Sequence, residues 1–166
     1  MVKDALSRLI SRHQEKMLPT LLDGISDGQL AAQPIAGMNH PAWILGHLLA
    51  VEQKIAKEVL RRPINLTLDS SWMEIYAMGT LPKSDRTIYK DKGFYVTGLA
   101  ETATAIANYV NQTPEAEMDA PNPDPHLATV FPTIATLVAV VPVHRAYHSG
   151  QIATWRKAMG LPHAGM

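Results

Sequence analysis

The sequence predicts an all-α protein, a four-helix bundle with long irregular connections. Three observations predict it. Four stretches carry apolar residues three and four apart, the period of one helix face. No stretch of useful length alternates apolar and polar residues as a half-buried strand would. The prolines and glycines gather between the four stretches more than within them.

The first stretch runs from about Lys3 to Asp23, with Leu6, Leu9, Ile10, Met17, Leu18, Leu21 and Leu22 as its stripe. Pro19 lies inside it and should kink it or split off its last turn. Gly24, Asp27 and Gly28 end it, and SDGQLAAQPIAGMNH reads as a loop. The second helix opens at Asn39-His40-Pro41, a polar residue followed by proline at the first helical position. Its stripe is Ile44, Leu48, Val51, Ile55 and Val59, and Pro63 ends it. A long connection follows over 64–86, with room for a short helix near Ser71 to Met78. The third helix is expected over Thr87 to Gln112, weakened near its start by Gly93 and Gly98. Five prolines between Pro114 and Pro132 forbid one regular element there. The fourth helix starts near Thr129 to Pro132 and runs to Met159, with Pro142 kinking it or loosening a turn. Gly160 and Pro162 stop it. The long second connection permits a topology other than simple up-and-down.

Composition narrows the function. A chain of 166 residues suits one domain, 1–166. Without cysteine there is no disulfide, no cysteine nucleophile and no thiolate metal ligand. Fifteen basic residues balance fifteen acidic ones, so no basic footprint for nucleic acid exists. The most apolar stretch, Phe131 to Val143, is shorter than the roughly 20 residues of a membrane span and contains two prolines. The N-terminus lacks the features of a signal peptide, and a cytoplasmic protein is expected. Only 18% of residues are charged, against roughly 25% in typical chains, which suggests a surface partly covered in a homodimer.

Seven histidines direct attention to imidazole chemistry. His144 and His148 are four apart on the last helix and share its stripe with Leu137, Val141, Ile152, Trp155 and Met159. Two neighbouring imidazoles on a buried face either bind one metal ion or bond separately to carbonyls or water. His47 borders the stripe of the second helix; it is either a third ligand or a core histidine bonded to a carbonyl. A three-histidine site would leave coordination positions open, the catalytic arrangement.

The segments Trp43-Ile44-Leu45-Gly46-His47-Leu48 and, near the C-terminus, His144-Arg145-Ala146-Tyr147-His148-Ser149-Gly150-Gln151 resemble the two motifs of the DinB/YfiT-like family of small metal-binding four-helix proteins. The resemblance extends to the ALSRL opening and the SDGQL…QP…GMNH connection. It implies a DinB-like bundle, a homodimer and metal ligands at His47, His144 and His148. Around that site, Gln151 is placed to orient a ligand or a bound water, or to cap the polar end of the pocket. Tyr147 either offers a hydroxyl or is an ordinary tyrosine. Trp43 packs the core. Gly46 and Gly150 read as places of close helix approach. His40 is about 10 Å from His47 along the helix, a pocket residue at most. His13 either lines the pocket or is a satisfied core histidine. His126 covers the site or is solvated, and His163 is exposed.

Three neutral imidazoles suit a divalent transition metal, zinc or nickel first, with iron, cobalt and copper admitted, and disfavour magnesium and calcium. The resemblance implies a metal-dependent transferase with a low-molecular-weight thiol as co-substrate, or a hydrolase, acting on a small molecule. With no cysteine in the chain, that thiol must be a free one. The alternatives are a non-enzymatic metal-binding stress-response protein and a helical dimer whose histidines only pack. The Ala- and Thr-rich face from Leu99 to Ala107 is the candidate dimer surface.

Overall fold

A computed structural model describes residues 2–165. Its helices are α1 (Val2–Arg12), α2 (Leu18–Leu22), α3 (Pro41–Gln53), α4 (Trp72–Tyr76), α5 (Lys92–Gln112), α6 (Glu115–Met118) and α7 (Ile134–Ala158). The four long elements predicted from periodicity are all present. Among the described residues no strand occurs, and no helix is long and apolar enough to cross a membrane.

Boundaries differ from expectation for local reasons. A π-helical segment, His13–Met17, joins α1 to α2, closed by the Leu18 N–H donating to the His13 carbonyl. Pro19 has no N–H to continue the α ladder, so the extra residue is absorbed just before it rather than by a break. α3 likewise passes into a π segment, Lys54–Val59, and ends ahead of Pro63. Arg61 there adopts a left-handed φ of 54°. The third helix starts at Lys92 and not Thr87, because Asp85 accepts the Thr87 N–H and holds 86–88 as a separate 3₁₀ turn. α7 starts at Ile134 behind a reciprocal cap between Thr133 and Thr136, and runs unbroken through Pro142.

Cross-helix contacts give the topology. Lys3 meets Thr113, Gln14 meets Val96 and Lys92 meets Ile25, so α1 and α5 are antiparallel. Asn39 meets Gln151 and Glu52 meets Arg145, so α3 and α7 are antiparallel. His13 meets Ser149 and Arg156 meets Leu21, so the first helix and the last are parallel. Gly98 abuts Leu49 and Thr102 meets Glu52, so α3 and α5 are parallel. The order is therefore up, down, down, up. Two adjacent parallel helices need a connection as long as the bundle, and residues 60–91, carrying α4, provide it.

Two apolar clusters fill the interior. One, around Leu21, Leu30, Leu45, Tyr95 and Trp155, packs the end near the loops. The other, around Ile10, Ile55, Ile106 and Val138, packs the opposite end. Between them the interior is polar.

Candidate metal centre

α3 is buried almost all round, because the crossover covers the side that α5 and α7 leave open. His40 caps its N-terminus, with Nδ1 accepting from the Trp43 N–H at 3.2 Å. One turn later Trp43 lies flat on the His47 ring, with centroids 5.0 Å apart and planes 4° apart. The Trp43 indole N–H is tied to the Ile75 carbonyl at 2.9 Å. Stacking and tether together fix where His47 points.

His47 Nδ1 donates to the Tyr76 carbonyl at 2.8 Å. A carbonyl only accepts, so the proton sits on Nδ1 and Nε2 presents a lone pair. His148 is arranged alike: Nδ1 donates to Gln151 Oε1 at 2.9 Å, and that oxygen also accepts from the Asn39 amide at 3.1 Å. Both lone pairs converge on His144 Nε2, at 3.2 Å from His47 and 3.1 Å from His148. A neutral His144 has one ring proton. It can satisfy at most one of the two lone pairs, and the other faces only nitrogen.

A cation resolves this arrangement. Two nitrogens bound at about 2.0–2.1 Å to one tetrahedral ion stand about 3.3 Å apart, close to the separations found. The potential ligand atoms of His47, His144 and His148 all lie within 4.8 Å of one another. Burial, the largest cause, pushes all three imidazoles below their ordinary pKa; for His144 and His148 it does so to about 4, helped by the neighbouring rings. The rings are therefore neutral at pH 7, the ligand form.

The other candidates lie elsewhere. Gln151 supports the cluster through His148. Tyr147 is 65% exposed and meets His148 only edge-on with its ring, 5.0 Å between centroids, so its hydroxyl is not turned inward. His40 is fully buried, its Nε2 donating to the Lys83 carbonyl at 2.9 Å; it is a cap and not a pocket residue. His126 and His163 are exposed. At Gly46 an added Cβ would fall 2.1 Å from the Tyr76 ring, so a close approach exists there. At Gly150 an added Cβ meets nothing, and the expected close approach is absent.

His13 belongs to a neighbouring polar network that periodicity did not reveal. Arg145 is fully buried and pairs with Glu52 through two parallel bonds, Nε to Oε1 at 2.6 Å and Nη2 to Oε2 at 2.5 Å. It also donates to the Leu99 carbonyl at 3.1 Å and Gln14 Oε1 at 3.0 Å. Arg145 Nη1 stands 3.3 Å from His13 Nδ1, and His13 Nε2 meets Ser149 Oγ at 2.7 Å. Arginine only donates, so the His13 proton is on Nε2. Thr102 completes the set by donating to Glu52 at 2.8 Å. The π segment serves this network by turning the consecutive residues His13 and Gln14 inward. The signal in the sequence was Glu52, three after Leu49 and three before Ile55 on an apolar stripe, with Arg145 four after Val141.

Comparisons with known proteins agree with this architecture. No curated protein matches the sequence. The structure is similar to the crystal structure of a conserved protein from Enterococcus faecalis, with a TM-score of 0.72 and 15% identity over 96% of this chain and 98% of that one. At that identity the likeness concerns the fold. The model of the DinB superfamily matches residues 10–152, which include His47, His144 and His148. On that match, over most of its length and both histidine motifs, the chain belongs to the DinB superfamily.

Proposed function

We propose that His47, His144 and His148 hold one divalent transition metal, zinc or nickel by the softness of the donor set, and that the protein is a metal-dependent transferase or hydrolase of a small molecule. The observation that carries the reading is the convergence of two fixed lone pairs on a third imidazole. A divalent ion held by these three neutral ligands would keep its full charge, and would supply Lewis acidity and attract an anionic co-substrate such as the thiolate of a low-molecular-weight thiol.

The chain's own part is positioning. Tyr76 and Gln151 fix the tautomers of His47 and His148. Trp43 holds the His47 plane. Glu52 neutralises Arg145, so no bare guanidinium stands beside the cation site. The cluster itself offers no carboxylate as general base, which favours a nucleophile that ionises readily, as a thiol does, over one that needs a protein base.

Elemental analysis of the purified protein tests the metal. One equivalent in the native chain and none in His144→Ala is expected, with unchanged far-UV circular dichroism. A panel of thiols with electrophiles, and of hydrolase substrates, then tests the reaction on metal-loaded protein. A metal-bound protein inactive across both panels would favour the reading as a non-enzymatic stress-response protein. The homodimer is retained in this proposal on a specific observation: from Thr136 to Thr154 the exposed side of α7, with Val143 and Tyr147, bears no charge. Sedimentation equilibrium tests it, with Val143→Asp expected to yield monomers.

A further inference from the structure

A groove of about 480 Å³ lies along α3 and α7, within the size range of small-molecule sites. None of the three histidines lines it, but its walls come within about one helical turn of them on three elements. On α3, Ala50 and Val51 follow His47 by one turn. On antiparallel α7, Val140 precedes His144 by one turn, so it stands at the same level. On α4, Trp72 lines the groove while its indole N–H donates to the Gly46 carbonyl at 3.1 Å, next to His47. The groove therefore begins about 5 Å along the helices from the imidazoles and continues for another turn toward Leu137.

The far wall comes from the proline-rich connection. Asp124 pairs with Lys54 at 3.0 Å and accepts the N–H groups of His126 and Leu127. This pins the connection against α3 and brings Leu127 and Phe131 over the groove. Among the charged lining residues, Lys54 and Lys57 balance Glu58 and Asp69, so the groove carries no net charge. The charge preference lies at the metal end, where three neutral ligands leave an ion's charge uncancelled.

We propose that this groove is the recognition site for the apolar part of the substrate, and that its occupant is a small amphiphile: an anionic, metal-seeking head at the histidines and an aliphatic or aromatic body along Ala50, Trp72, Met73 and Val140. The inference rests on the metal reading above and adds the class of molecule. A highly polar substrate such as a sugar phosphate would leave its hydroxyls facing apolar walls without partners.

A series of straight-chain hydroxamates, from acetohydroxamate to octanohydroxamate, tests it by titration calorimetry on zinc-loaded protein. The head is constant and only the tail varies. Affinity is expected to rise about three- to fourfold per added methylene. Met73→Asp places a charge on the exposed edge of the groove, where folding tolerates it, and should lower the ratio of octano- to acetohydroxamate affinity at least tenfold. Leu9→Asp, an exposed apolar site away from the groove, should leave that ratio unchanged. Affinity independent of tail length on metal-loaded protein would overturn the groove and leave the metal centre standing. Protein that takes up no zinc would overturn both, and elemental analysis tells the two failures apart.

Discussion

His144 and Arg145 are consecutive, yet they serve polar clusters of opposite character. Arg145 lies in a closed network in which every charge and every donor has a partner drawn from all four long elements. Glu52, Thr102, Gln14, the Leu99 carbonyl and His13 leave it nothing to gain from a ligand. His144 lies where two lone pairs meet and too few protons are present. Both clusters interrupt an apolar interior, and each is costly unless satisfied. The first is satisfied by the fold. The second is not, and that deficit distinguishes a binding site from a structural one.

The largest test breaks the closed network. Glu52→Ala leaves a buried guanidinium unpaired and should cost about 3–5 kcal/mol in urea unfolding. Replacing both partners, Glu52→Leu with Arg145→Met, should recover much of that loss, because neither charge is then stranded. A double variant no more stable than Glu52→Ala would show that the network supports the fold by more than charge pairing.

The open cluster should respond differently. Gln151→Ala removes the acceptor that fixes His148, and should weaken metal affinity about 10- to 100-fold while metal-free stability changes far less. Competition with a chromogenic chelator measures the first and urea unfolding the second. Equal losses in both would erase the distinction between the two clusters.

Acid probes the two together. Burial, aided by the Arg145 charge, holds His13 to about 4, and burial with neighbouring rings holds His144 and His148 to about 4. Unfolded imidazoles take up protons near 6.5, which the folded ones refuse until near 4. The unfolded state thus binds more protons between these values, and metal-free stability should fall as pH drops from 6.5 toward 4. In His144→Ala the His13 share of that slope should remain, as urea midpoints across this range will show.

The smallest effects come from two glycines. Gly46→Ala forces the Tyr76 ring away and should cost about 1–3 kcal/mol. Gly150→Ala meets open space and should stabilise a monomer by up to about 1 kcal/mol. Thermal melts of the two variants should shift in opposite directions.

The open cluster was legible in the sequence through periodicity, which turned its histidines inward, and through the resemblance of two motifs, which joined them into one site. His144 and His148 fall on a stripe, and His47 borders another, so periodicity alone placed them inward. The closed network escaped because Glu52 and Arg145 lie 93 residues apart, and nothing local to either one names the other as its partner. Only the antiparallel register of α3 and α7 makes them a pair. The π segments were invisible for a related reason: a one-residue shift in hydrogen bonding leaves composition unchanged. Tyr147 shows the converse limit, since three residues from a ligand can mean either flank of a helix. His40 shares a face with His47 but is spent as a cap.

The crossover between the parallel helices has a consequence in time. The carbonyl that sets the His47 tautomer belongs to Tyr76, at the end of α4, and the ring that His47 meets belongs to α7. Packing α3 against α7 is therefore not enough to finish the centre, because the intervening segment must also have docked. Contacts of such long sequence separation are slow to form. The three-histidine cluster is therefore complete only once α3, α4 and α7 have all docked, so the proposed competence for metal is a property of the whole topology and not of any one helix pair.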